Sequence, residues 1–143
     1  MSTEEIIVYV LTALAALVVV LTRLRLGRDE GGAGRVHVGR ALLGLHTVSG
    51  VLALVVWLVF LLGGGSFSED TENLVGIAAL ALWWLVALAG LLILVRWLPT
   101  RGRHAAGGTE DSWSEGPGLS VLAHVGMAAG VAVFTHAYLA SVV

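Results

Sequence analysis

The chain lacks cysteine and lysine and has few charged residues of any kind. Without cysteine among its 143 residues, it can form no disulfide, thiolate metal site, iron–sulfur cluster or covalent c-type haem attachment. Charged residues make up 13% and the formal net charge is −2, so we expect no nucleic-acid partner. All eight basic residues are arginine, which we take as an indication of a high-GC bacterial genome.

Catalytic and transport motifs are also missing. The sequence contains no Walker loop, no G-x-S-x-G and no H-E-x-x-H, the short patterns that mark nucleotide, acyl-transfer and zinc-protease sites. Its long apolar stretches have no carboxylate in their interiors, which argues against an ion-coupled transporter with an acidic site at mid-membrane. They also have no continuous polar face, as a channel would require.

Apolar residues dominate what remains. Hydrophobic residues account for 57% of the chain and the mean hydropathy is +0.92. Four apolar stretches, at about 5–22, 39–63, 74–98 and 118–142, each approach or exceed the roughly 20 residues that a helix needs to cross a bilayer. The sequence therefore predicts an all-α integral membrane protein, a four-helix bundle in one transmembrane domain over residues 1–143.

The arginines predict the orientation of this bundle. They flank only the first and third loops, while the second loop and the amino terminus carry only acidic residues. By the positive-inside rule, loops one and three are cytoplasmic and both termini lie outside. Glu4 and Glu5 precede the first span where a secretory signal would be basic, so we interpret that span as a retained anchor. We expect a multi-pass protein of a bacterial plasma (inner) membrane.

The third span is the most apolar of the four and has no polar residue after its first position. It is therefore predicted to be a peripheral helix that faces lipid. Trp83 and Trp84 lie near its middle, away from the interfaces that tryptophan prefers. They either fill space by bulky packing or contact a flat cofactor.

Two histidines stand at matching depth in the second and fourth spans. His46 follows Arg40 by about six residues and His124 follows Gly118 by about six, which places both roughly 9 Å from the same membrane surface. Residues at helical spacing share a face with each histidine. These are Ser49, Gly50, Ala53 and Trp57 for His46, and Met127, Ala128, Val131 and Thr135 for His124. Small side chains therefore leave space beside both imidazoles.

Two neutral imidazoles that face each other across such a gap can bind a six-coordinate haem iron from both sides. Arg40, close before His46, is a candidate partner for the haem propionates, and Gly50 would leave room for the macrocycle. Two other interpretations stay open. The histidines either join the helices by hydrogen bonds, or serve a different metal or a proton relay.

The segments RALLGLHTVSG (40–50) and LAHVGMAAGVAVFTH (122–136) resemble, in outline, those of small haem-b membrane proteins. These comprise b-type membrane cytochromes, ferric-reductase-like domains and the membrane anchors of succinate dehydrogenase. The resemblance implies one haem b with His46 and His124 as axial ligands, and electron exchange with a quinone or a partner respiratory subunit. His136 lies 12 residues after His124, so the two point about 120° apart on the helix, and a second haem is not expected.

The other histidines receive lesser roles. His136, beside Thr135 and Tyr138, forms with Tyr138 a secondary polar site, either an interfacial cluster or a quinone-head or proton-exit site. His37 lies in the basic first loop and is the best substitute if one proposed ligand is wrong. His104 is expected to be an exposed loop residue.

Two functions follow from these patterns. One is a membrane electron-transfer module with one haem b. The alternative is a cofactor-free structural or accessory subunit whose histidines only fix helix packing. Besides the lipid bilayer, other membrane subunits or further copies of the chain are the partners to expect.

Overall fold

A computed structural model describes the backbone of residues 1–28, 40–97 and 117–143, and the side chains of 1–20, 41–42, 44–95 and 121–143. This part of the chain consists of four helices: α1 (Thr3–Arg28), α2 (Arg40–Leu62), α3 (Glu69–Trp97) and α4 (Pro117–Leu139). Each contains a window long and apolar enough to cross a membrane. The predicted four-helix membrane bundle is confirmed, and each helix end lies within two turns of its predicted position.

Local hydrogen bonds explain where the helices begin and end. At the start of α1, Ser2 Oγ accepts from the backbone N–H of Glu5 at 3.1 Å and the Glu5 carboxylate accepts from the Ser2 backbone N–H, a capping box. At the end of α4, Ser141 adopts a left-handed φ of 52° and the Val142 N–H bonds to the Ala137 carbonyl at 2.9 Å. This Schellman arrangement stops the helix before the predicted boundary at 142.

The four helices run alternately up and down. Phe60 of α2 and Tyr138 of α4 both lie against Gly76 near the start of α3, while His46 and His124 both lie against Gly90 near its end. Neighbours in the chain pack side by side, and α1 also packs against α4. α2 and α4 therefore stand at opposite corners of the bundle, and a contact between them crosses its centre.

The prediction that the third span is peripheral was wrong. Within the membrane-spanning windows, 44% of the residues of α3 are buried, against 28% in α2 and 17% in both α1 and α4. α3 packs along both α2 and α4, and its interface with α2 is the most extensive in the described part of the chain. An entirely apolar span can face neighbouring helices as well as lipid, because lipid chains are as apolar as the bundle interior.

One half of the bundle is filled by aromatic rings. Trp57 stacks on Phe134 at 4.7 Å between ring centroids and contacts Phe60 at 5.4 Å. Five residues form this aromatic cluster: Trp57, Phe60, Trp83, Phe134 and Tyr138. Four of the five are buried, and the half-buried Tyr138 ties α4 to α3 through a 3.2 Å hydrogen bond to the Asn73 carbonyl.

A polar contact joins α1 to this cluster. The Trp57 indole N–H donates to Thr12 Oγ1 at 3.0 Å, and the Thr12 hydroxyl donates in turn to the Val8 carbonyl at 2.8 Å. A threonine hydroxyl in a helix commonly bonds only to a carbonyl of its own helix. In this structure, the Thr12 hydroxyl also attaches α1 to α2.

Candidate functional site

The rings of His46 and His124 meet at the centre of the bundle. Their centroids lie 6.2 Å apart and their planes are inclined by 26°. The two residues come from α2 and α4, the helices at opposite corners, so this histidine pair spans the interior. The expected matching depth brings the imidazoles together, at the end of the bundle opposite the aromatic cluster.

The His46 ring is held in place by the backbone of α3. Its Nδ1 lies 3.1 Å from the Val86 carbonyl oxygen. A carbonyl oxygen only accepts hydrogen bonds, so Nδ1 carries the proton and donates it. In a neutral imidazole, Nε2 then keeps the free lone pair, the arrangement of a histidine whose second nitrogen is available to a metal.

Gly90 of α3 lies directly against the histidine pair. A Cβ at this position would stand 2.7 Å from Cδ2 and 3.3 Å from Nε2 of His124, and 3.1 Å from Cε1 of His46. The first of these distances is shorter than van der Waals contact allows. The absence of a side chain therefore lets α3 approach both imidazoles at once and lets the His46 ring reach the Val86 carbonyl.

The small residues predicted beside His46 lie where the helical spacing places them. Ser49, Gly50 and Ala53 are all buried. The Ser49 hydroxyl donates to the Leu45 carbonyl at 2.6 Å, so it is satisfied within α2. A Cβ at Gly50 would meet its first neighbour, the Val86 side chain, only at 3.9 Å, which shows that this part of the interior has room for more atoms.

A cavity of about 200 Å³ opens beside the histidine pair. All four helices contribute to its wall, which includes Val18 and Val19 of α1, Gly50 of α2, Trp83 of α3, and His124 and Met127 of α4. Most of this wall is apolar, and the lining residues that carry polar side-chain atoms are His46, His124, Thr47 and Trp83. The site therefore suits a largely apolar ligand with a few polar contacts.

Two neighbouring tryptophans on α3 have different environments. Trp84 is 40% exposed and donates its indole N–H to Thr135 Oγ1 at 3.1 Å. Trp83 is fully buried, contacts Phe134 and borders the cavity, yet its Nε1 has no hydrogen-bond partner in the described part of the chain. Bulky packing accounts for the ring of Trp83 but leaves its N–H unexplained.

His136 and Tyr138, the predicted secondary polar site, do not belong to the cavity wall. The Tyr138 hydroxyl donates to the Asn73 carbonyl of α3, whereas His136 is exposed. Their role as an interfacial cluster or as a quinone-head or proton-exit site stays a prediction. His37, His104 and the side chain of Arg40 lie outside the described residues.

The donor set of the site consists of two imidazoles. Among the described residues, no group of three or more His, Cys, Asp or Glu side chains could hold a metal ion, as a four-coordinate structural zinc site would require. Two imidazoles suit a metal whose other ligands come from a macrocycle. Comparison of the chain with known protein families, curated proteins and solved structures found no match.

Proposed function

We propose that this protein is a membrane electron-transfer module that holds one b-type haem between His46 and His124. The observation that carries the proposal is the 6.2 Å separation of the two ring centroids. Two metal–nitrogen bonds of about 2.0–2.1 Å, added to the distance from each nitrogen to its ring centre, separate two axial imidazoles by roughly 6 Å. The pair is thus spaced for one metal ion.

The hydrogen bond from His46 Nδ1 to the Val86 carbonyl supports the same function. Histidines that bind metals commonly donate their other ring N–H to a carbonyl or carboxylate, which fixes the tautomer and the ring orientation. Here the acceptor belongs to the helix backbone of α3, so the ring orientation does not depend on a mobile side chain. Gly90 makes this approach sterically possible.

Space for the macrocycle requires a displacement of α1. The cavity measures about 200 Å³, less than the roughly 300–1,000 Å³ of typical ligand pockets. Val18 and Val19 of α1 form part of its wall, and α1 packs much less extensively on its neighbours than α3 does. We therefore assign α1 as the helix that moves outward most when the haem enters. Because Gly90 stands against both imidazoles, α3 must also shift to admit the macrocycle between them.

Bound in this way, the haem would supply reversible one-electron transfer. Two axial imidazoles leave no open coordination position, so the site suits electron exchange with a quinone or a partner subunit better than reaction at the iron. The protein's own contribution is to orient both imidazoles and to exclude water with an apolar wall.

The absorption spectrum of the purified protein, prepared from cells with ample haem supply, tests this function. We expect a sharp Soret band and, after reduction, an α-band. His46→Ala and His124→Ala should each abolish or broaden both bands. His136→Ala is the matched control, since it removes an exposed histidine from the same helix as His124, and it should leave the spectrum unchanged.

The alternative is a cofactor-free accessory subunit. It is favoured by the close approach of both imidazoles to Gly90 and by the hydrogen bond from His46 to the Val86 carbonyl, since these contacts need no ligand. In that case the wild-type protein is colourless, does not bind added haem, and loses stability in both histidine variants. Wild-type protein that acquires the Soret band while the histidine variants do not excludes this alternative.

We further propose that the bundle lies in a bacterial plasma membrane with both termini outside, from the distribution of arginine. The absence of native cysteine makes this easy to test with single cysteines. Ser66→Cys, in the turn between α2 and α3, should react with a membrane-impermeant maleimide on intact spheroplasts. Ser112→Cys, between α3 and α4, should react only after lysis, and the reverse pattern would invert the topology.

A further inference from the structure

The unpartnered indole N–H of Trp83 is the polar group that the packing of the bundle leaves unexplained. The residue is fully buried, and in the described part of the chain its Nε1 is the one buried side-chain nitrogen or oxygen without a hydrogen bond. A buried N–H without an acceptor carries an energetic cost. A bundle that only needed a large ring here could use phenylalanine.

Two other tryptophans of the bundle have their N–H groups hydrogen-bonded. Trp57 is equally buried and also contacts Phe134, but Thr12 accepts its N–H. The exposed Trp84 is bonded as well, to Thr135. Of these three tryptophans, only Trp83 borders the cavity, and only its N–H has no acceptor among the described residues.

We infer that Trp83 is a second anchoring point of the cavity, and that its indole N–H donates a hydrogen bond to an oxygen of the bound ligand. The inference rests on the proposed function only for the identity of that ligand. Trp83 precedes Gly90, which marks the level of the histidine pair, by seven residues, and the helix rises about 10 Å over this distance. The ligand must therefore extend from the imidazoles toward the middle of the bundle.

The acceptor is a neutral oxygen. An ionised carboxylate at this depth would require a cation beside it. A carbonyl or a protonated carboxyl group satisfies the N–H without that requirement. For a haem, a protonated propionate would supply this oxygen. A quinone ring presents the same chemistry through its carbonyl groups.

The variants that test this inference remove the indole N–H at position 83 but keep an aromatic ring there. Trp83→Phe and, as an isosteric variant, 3-benzothienylalanine at position 83 are compared with wild type and with the control Trp84→Phe, which removes an indole N–H outside the cavity wall. Each protein is assayed for haem by absorbance and for quinone by solvent extraction, and affinity is measured by titration with haemin or with a short-chain quinone. We expect both position-83 variants to bind the ligand at least 5-fold more weakly, and Trp84→Phe to bind it as wild type does.

Ultraviolet resonance Raman difference spectra, wild type minus Trp83→Phe, report the hydrogen bonding of this one indole. A bonded N–H in the loaded protein and an unbonded one in the empty protein support the inference. An unbonded N–H in the loaded protein, or unchanged affinity in the benzothienyl variant, overturns it while the haem function stands. If quinone but no haem is bound and the position-83 variants lose it, the haem proposal fails and Trp83 keeps its role. Protein that binds neither ligand overturns both.

Discussion

The half of the bundle that holds the aromatic cluster and the half that holds the histidine pair differ in how their space is filled. In the first, the rings of Trp57, Phe60, Phe134 and Tyr138 interlock, and the Trp57 indole and the Tyr138 hydroxyl both find acceptors. In the second, two imidazoles and a glycine border a cavity, and the neighbouring Trp83 N–H is left unsatisfied. Stability and function are therefore assigned to different halves of the same four helices.

This division explains why the cavity is tolerated. Helix association in lipid depends on packing and on interhelical hydrogen bonds. The hydrophobic effect does not drive the helices together there, because lipid chains are as apolar as the side chains. The aromatic cluster supplies both the packing and the hydrogen bonds. The histidine half can then remain incompletely packed at modest cost, and substitutions in the two halves should have separable effects on stability and on ligand binding.

The largest loss of stability is expected from Phe60→Ala. Phe60 is buried between Trp57 and Tyr138, and removing its ring leaves a void. A comparable change in a soluble core costs about 3–5 kcal/mol, part of which is transfer from water, so we expect roughly 2–3 kcal/mol here. Unfolding in detergent mixtures, followed by circular dichroism, measures this loss.

Haem content of Phe60→Ala should stay at the wild-type level, because the ring lies in the aromatic half. Val59→Ala, at a partly exposed neighbouring position, serves as the control and should change neither property. Loss of haem in the folded Phe60→Ala protein would show that the two halves are not separable.

Gly90→Ala should affect both properties. Its Cβ would stand 2.7 Å from Cδ2 of His124, so the imidazoles or α3 must shift, which costs about 1–3 kcal/mol by analogy with overpacked cores. Because the pair then loses its alignment, we expect haem content to fall more than 5-fold, measured as Soret absorbance per mole of protein.

Gly126→Ala is the matched control for that substitution. A Cβ at Gly126 meets no atom within 4 Å in the described part of the chain. The same holds for Gly130, four residues later, so neither glycine packs closely against another described helix. Stability and haem content should both remain unchanged. Equal effects of the two alanine substitutions would contradict the role assigned to Gly90.

Thr12→Val tests the attachment of α1. The substitution keeps the side-chain volume but removes the acceptor of the Trp57 N–H, and interhelical hydrogen bonds in membranes contribute about 0.6 kcal/mol on average and up to about 1.7. We expect a stability loss in this range. Tyr9→Phe, which removes a hydroxyl elsewhere on α1, should show none.

If α1 moves aside for the haem, a weaker attachment should also speed haem uptake. The rate at which the empty Thr12→Val protein develops its Soret band after haemin addition should therefore exceed that of wild type and of Tyr9→Phe. A rate equal to or below that of wild type would argue that α1 does not control entry.

The smallest change in stability is expected for substitutions at Gly50, where the effect on ligand binding should differ most clearly from the effect on stability. The site has room for a methyl group, and alanine is favoured over glycine in helices by about 1 kcal/mol, so Gly50→Ala should be neutral or slightly stabilising. Gly50→Leu should fill the cavity and abolish haem binding. A Gly50→Leu protein that binds haem normally would place the ligand elsewhere.

The sequence predicted the membrane bundle and the meeting of His46 with His124, because both follow from apolar length and helical periodicity. It could not predict the partners that α3 supplies. The Val86 carbonyl is a backbone atom that any residue type would provide, and nothing in the sequence distinguishes Gly90 among 19 glycines.

The two tryptophans of α3 illustrate a further limit. Trp83 and Trp84 are adjacent in the sequence, but they point about 100° apart on the helix, and only the packing of α2 and α4 decides which one is buried. The lack of polar residues in α3 led to the prediction that this helix faces lipid. It is equally compatible with the packing of α3 between α2 and α4. Hydrophobicity alone does not distinguish these two environments in a membrane.

Low-temperature electron paramagnetic resonance of the oxidised, haem-loaded protein tests the central claim most directly. If both imidazoles bind one iron, wild type gives the low-spin ferric signal of bis-imidazole ligation, and His46→Ala and His124→Ala each convert it to a high-spin signal. A high-spin signal in wild type, or a low-spin signal that survives both substitutions, would contradict the account.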